Sequence, residues 1–187
     1  MSVSEKDFNA ILRKIIRQVL IEQEKISSEQ QLLSLKEEKK IYIAVNEEWD
    51  NRYYLFFEEL KKLNKNVKIL ILGDKVDEFR TKAQELKLGY DILTVKEFKV
   101  ESDNEMVVFP VISRNDIIDI ASCTDKTATT KVVRRCFEEG AKIYFMKFGI
   151  EKLTGKEPEK YKQRILAYYR EILEFNIEMI DDIRAVM

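Results

Sequence analysis

The chain has 187 residues, 36% of them charged and 45% apolar, with a formal net charge of -1 and the two signs interleaved. That balance excludes a dominant nucleic-acid footprint, which needs a basic face, and no apolar run approaches the roughly 20 residues of a membrane span. Histidine is absent, which excludes Ser-His-Asp and Cys-His triads within one chain, and two cysteines cannot supply the usual zinc sets.

In residues 1–21, Phe8, Ile11, Leu12, Ile15, Ile16, Val19 and Leu20 recur at i, i+3, i+4 spacing, while Arg13, Lys14, Arg17 and Gln18 fill the other face. The pattern predicts an amphipathic helix of about four turns. Ser4 is its N-cap, and Asp7 three residues later makes a loose capping box. Its apolar stripe predicts a docking surface, for a partner, for the rest of the chain or for a second copy. Residues 22–39, rich in Glu, Gln, Ser and Lys, read as a polar linker. No signal peptide is visible, because charge is mixed into the N-terminal apolar pattern. Cys123 and Cys136 suggest no disulfide framework and read as buried small hydrophobes, which makes a reducing cytoplasm the default.

From residue 40 to 187 strands and helices alternate. Strands are predicted at Ile41–Val45, Val67–Leu72, Tyr90–Val95, Met106–Ile112 and Ala141–Phe148. Helices are predicted at Asn51–Leu63, at Val76–Leu88 with Gly89 as its C-cap signal, and at Asn115–Glu139 with Gly140 closing it. A long last helix is predicted over Tyr161–Val186, with Ile165, Leu166, Tyr169, Ile172, Leu173, Ile177 and Ile180 on one packing stripe. The Asn115–Glu139 stretch is one helix or two, because Asp125, Thr127, Thr129 and Thr130 disfavour a helix interior and predict a break near Thr124–Thr127. Such alternation implies parallel strands joined by right-handed crossovers. The fold class is a three-layer α/β sandwich with a mainly parallel sheet, Rossmann-like or flavodoxin-like, preceded by the N-terminal helix.

Ligands in such sheets sit beyond the carboxyl ends of the strands, where the strand order reverses. The candidate site is therefore the end of the fourth strand, with Ser113 and Asn115, joined by Asp125 from the break. Asn115 and Asp116 also suit a helix N-cap, so a turn with a cap and a binding site are both open readings. Trp49, in the loop after the first strand, reads as a ligand lid or as packing.

The segment PVISRNDIIDIASCTDKTATTKVVRRCFEEGAKIYFMK, residues 110–147, resembles the flavoprotein family that includes the homo-oligomeric flavin-containing cysteine decarboxylases. Those proteins carry a proline–small residue–Ser/Thr–Asn–Thr turn after a strand, then a helix, an Ile-Ala-Asp-Asn-Leu-like segment and a further helix. Pro110, Ser113, Asn115, Ile120-Ala121, Asp125 and Gly140 match in order. The turn is most similar to the branch found with bacterial microcompartments, especially those for ethanolamine utilisation. The resemblance implies FMN as cofactor, with Ser113, Asn115 and Asp125 lining its pocket, and a homo-oligomer. Microcompartment cargo is similar in layout, which implies shell or cargo proteins as partners of the N-terminal helix and a place in the cytoplasm, within a microcompartment. Three departures bear on activity. Asp116 replaces the family's Thr. The loop after the first strand, Asn46-Glu47-Glu48-Trp49-Asp50-Asn51, has no glycine where the family cradles phosphate. The family's decarboxylases use a histidine that this chain lacks. The implied role is redox support or organisation, not decarboxylation, with a cofactor-free interaction protein of the same fold as the alternative.

Overall fold

The computed structural model describes residues 40–63 and 66–186; the predicted N-terminal helix and linker lie outside them. Six strands form one sheet: β1 (Ile41–Asn46), β2 (Val67–Leu72), β3 (Asp91–Thr94), β4 (Met106–Phe109), β5 (Lys142–Met146) and β6 (Ile177–Ile180). Their order is β3-β2-β1-β4-β5-β6, and every pairing is parallel. This is the doubly wound arrangement, with its switch point between β1 and β4.

The central strands read as continuous apolar runs because both their faces are covered. Alternate β1 residues Ile41, Ile43 and Val45 enter one core with Tyr53, Phe57 and Leu60 of α1 (Arg52–Leu63) and Phe79 of α2 (Val76–Glu85). Tyr42 and Ala44 enter the other core. There they meet Ile117 of α3 (Arg114–Ala121), Val132 and Val133 of α4 (Ala128–Glu139) and Ile172 of α5 (Glu159–Glu174). No helix fills the β3–β4 crossover. Phe98 anchors it instead, with its ring edge-on to Tyr42 at 5.0 Å.

The expected break splits Asn115–Glu139 into α3 and α4, and Gly140 closes α4 in the left-handed conformation, φ 77°. Four expectations are corrected. The last helix stops at Glu174, and residues 177–180 form β6. Asn176, at φ 60°, makes the turn between them. Leu166 and Leu173, expected on the packing stripe, are exposed, while Ile165 and Ile172 are buried. Gly89 does not cap α2; the C-cap is Leu86, followed by Lys87 at φ 53°, and Leu88 N–H returns to Ala83 O. Only one cysteine is buried: Cys136 is enclosed and Cys123 is exposed. Burial pushes the Cys136 thiol up to about 12, as expected of a thiolate kept from water.

Candidate functional site

The turn leaving β4 delivers Pro110 to Ser113 to the switch point. Ser113 is the N-cap of α3: its hydroxyl oxygen accepts from Asp116 N–H at 3.0 Å and its O–H donates to Asp116 Oδ2 at 2.7 Å. Asn115 therefore lies inside the first helical turn, exposed, and is not the cap; Asp116 closes the cap from within the helix. The other Asp116 oxygen, Oδ1, accepts from Thr127 Oγ1 at 3.0 Å. Thr127 in turn caps α4 in a reciprocal box with Thr130.

One carboxylate thus joins the N-termini of two helices, where negative charge is favoured by the helix dipoles and by unpaired N–H groups. Asp116→Ala removes the carboxylate from both. The expected loss is about 1–2 kcal/mol, read as a lower urea midpoint with unchanged slope. Asp116→Asn keeps one acceptor oxygen and is expected to fall between that variant and the parent.

Asp125 sits in the α3–α4 connection, exposed, 3.0 Å from Arg134 Nη1. It lines a cleft of about 200 Å³ with Cys123, Thr124 and Phe137. No hydrogen bond joins it to Ser113 or Asn115 among the described residues; the bridge between the two segments is Asp116 to Thr127.

The loop after β1 is built on aromatics. Trp49 packs against Tyr53 at 5.6 Å, Tyr54 at 5.1 Å, Phe79 at 5.5 Å and Phe57 at 6.3 Å between centroids. Its ring therefore serves the core, while its buried Nε1 has no hydrogen-bond partner. Tyr53 hydroxyl accepts from Asn46 N–H at 2.9 Å, which fixes the strand end.

Asp50 takes the start of α1. Its Oδ1 accepts from Arg52 N–H at 2.8 Å and Nε at 2.9 Å, and its Oδ2 from Nη2 at 2.7 Å. The Arg52 guanidinium holds the Asp50 carboxyl below its usual range. Glu47 covers the end of β2: its Oε2 accepts from Asp74 N–H at 3.1 Å, and a Cβ on Gly73 would meet the Glu47 side chain, its Cβ at 2.6 Å.

A flavin phosphate needs free backbone amides at a helix N-terminus and close backbone approach. At α1 the Arg52 amide is taken by Asp50, Gly73 is roofed by Glu47, and Glu48 adds a third carboxylate. At α3 the Asp116 amide is taken by the Ser113 cap and the Asp116 carboxylate covers the turn. These residues do not fit an FMN phosphate at the switch point.

The turn from β4 is braced from behind by the segment after β5. Ile112 N–H donates to Gly149 O at 3.2 Å, Ile112 and Ile150 form a parallel bridge, and Arg52 Nη1 donates to Gly149 O at 3.1 Å. Sequence reasoning missed this brace and the parts played by Asp116 and Glu47. The signal that could have found the cap is the Ser113-x-x-Asp116 spacing, a capping-box pattern. Among the described residues no group of histidine, cysteine, aspartate and glutamate side chains could hold a metal ion, and no helix is long and apolar enough to cross a membrane.

No protein-family model and no curated protein matches the sequence. Solved structures do match. Phenylacrylic acid decarboxylase from Aquifex aeolicus aligns over 76% of this chain and 81% of its own, with TM-score 0.51 and 12% identity. DmrB from Burkholderia xenovorans, a cubic protein cage for redox transfer, aligns in its apo form over 81% of this chain and 92% of its own, with TM-score 0.52 and 9% identity. Its complex with FMN gives TM-score 0.50 at 9% identity over the same shares. At such identities the likeness is one of fold: the described residues adopt the parallel α/β fold shared by a decarboxylase and a redox cage protein.

Proposed function

We propose that this chain is an accessory protein on a flavoprotein fold, serving a bacterial microcompartment pathway of the ethanolamine-utilisation kind. It works by interaction and organisation, without FMN at the switch point. The observation that carries the cofactor-free reading is the closure of the phosphate corner by Glu47 and Asp50. The microcompartment assignment is supported by the Pro110-Val-Ile-Ser-Arg-Asn115 turn and by the amphipathic pattern of residues 5–21. The test is the colour of the protein. Purified material is expected to be colourless, to release no flavin on denaturation and to leave the fluorescence of added FMN unquenched.

A second reading keeps the flavin and its redox-support role. It is favoured by the fold shared with an FMN-bound cage protein and by the exposed Asn115 amide. A yellow protein carrying stoichiometric FMN would establish this reading and overturn the first. Asn115→Ala would then weaken FMN binding without unfolding the protein.

The N-terminal stripe from Phe8 to Leu20 is proposed to bind a shell or cargo protein. Deleting residues 1–25 is expected to leave a soluble, folded protein of unchanged oligomeric state that no longer co-purifies with shells. An unfolded or dissociated product would make the helix structural instead.

A further inference from the structure

A second concavity lies away from the switch point. Its volume is about 440 Å³, and its lining includes Gly73 and Asp74 after β2, Thr94 and Lys96 at the end of β3, and Lys131 and Arg135 on α4. None of the lining comes from the β1–α1 loop or from the turn after β4. It nevertheless sits at the carboxyl ends of two parallel strands, the side of a doubly wound sheet on which ligands bind.

The charges here differ from those around them. On the same connection and helix, Lys126 pairs with Asp119 at 4.0 Å and Arg134 with Asp125 at 3.0 Å. Lys96, Lys131 and Arg135 lie within ion-pairing distance of no carboxylate among the described residues. Arg135 is nonetheless held in place: its Nη1 donates to Val95 O at 2.7 Å and to Phe98 O at 3.2 Å. Two backbone carbonyls fix the guanidinium without neutralising it, so its remaining N–H groups stay available to an acceptor.

Of the nearby carboxylates, Asp74 lines the groove. Glu97 is occupied by Thr94, whose N–H and O–H both donate to its Oε2 at 2.8 Å. Glu97 keeps its charge under these neutral donors, and Glu47 lies against Gly73 and Asp74; what the groove offers an anion is three cations that no carboxylate pairs, set in concave walls that strengthen their local potential.

We propose that this groove binds a small phosphorylated ligand of mononucleotide size, its phosphate held by Lys96, Lys131 and Arg135. The volume falls within the roughly 300–1,000 Å³ of small-molecule sites. A phosphate monoester suits a guanidinium held in place in one groove with two exposed ammonium groups. The proposal goes beyond the functional reading above and does not depend on it: the two sites meet at Gly73 and Asp74, but Lys96, Lys131 and Arg135 belong to the groove alone.

Calorimetric titration of the full chain with AMP, adenosine and inorganic phosphate tests the assignment. AMP is expected to bind, adenosine to give no measurable binding, and AMP affinity to fall as salt is raised. In the double variant Lys96→Ala/Lys131→Ala, AMP affinity is expected to drop about tenfold or more. Both lysines are exposed, so circular dichroism and the urea midpoint should match the parent. No AMP binding at millimolar concentration, or binding unchanged in the double variant, overturns the proposal. AMP binding no tighter than inorganic phosphate reduces the groove to a simple ion site and overturns the ligand assignment. FMN uptake by the parent is a separate readout and decides only the switch-point reading.

Discussion

Gly149→Ala is expected to be the most damaging single methyl group that can be added to this protein. Gly149 ends the short turn after β5 and is buried against the strand exit of β4. A Cβ there would overlap the Pro110 carbonyl oxygen and lie 2.6 Å from Pro110 C and 2.9 Å from Val111 Cα. Those are backbone atoms with no rotamer in which to retreat, so either the turn or the sheet end must move. Overpacking of this kind costs about 3 kcal/mol or more. The neighbouring hydrogen bonds from Ile112 and Arg52 to Gly149 O are lost if the segment shifts. A fall of that size in unfolding free energy, from urea or guanidinium titration, is the result to look for. An alanine variant as stable as the parent would mean that the two segments are not in contact in solution. Gly89→Ala is the control, because a Cβ there meets nothing within 4 Å.

Phe57→Ala should cost about 3–5 kcal/mol, the usual range for emptying a buried aromatic site. Phe57 is fully enclosed, and its ring faces Trp49, Tyr53, Phe56 and Phe79. No single neighbour can fill the space, so the loop carrying Glu47 and Asp50 should loosen with it. The loss would show as a lower unfolding midpoint together with a red-shifted Trp49 emission as the indole meets water. Phe57→Leu keeps most of the volume and is expected to lose clearly less. If Phe57→Ala loses under 1 kcal/mol while Trp49 emission stays put, the cluster does not pack as described.

The parallel sheet was legible because its strands are short apolar runs closed by polar turns, and two covered faces leave no polar alternation to confuse them. β6 was hidden for a specific reason. Ile177 and Ile180 are three apart, a spacing that a helix also allows, so they read as a continuation of the last helix. The turn before them is made by Asn176 in the left-handed region, not by the glycine or proline that announces a stop. Lys87 conceals the end of α2 in the same way, drawing attention to Gly89 two residues later. At the site, the Ser113–Asp116 cap follows from local spacing, whereas the Thr127 link depends on how α3 meets α4. The Glu47 cover on Gly73 and the cationic groove between β3 and α4 bring together residues from distant parts of the chain. No local window of sequence contains them.

The strand order also governs how this domain is made. A chain that has emerged from the ribosome as far as Thr94 can pair β1 with β2 and β2 with β3, but β1 still has one side open. Its partner there is β4, which meets it at Ile41 to Met106. Until that segment arrives, Ile41–Val45, an apolar run buried in the finished sheet, presents unpaired N–H and C=O groups along a free edge, the condition that invites mispairing with other chains. Each later strand repeats the situation one step outward, through β5 and then β6, so the sheet completes only when Ile177–Ile180 has been released. For this protein the hazardous interval is synthesis, and truncated products ending before Met106 should depend most on chaperones.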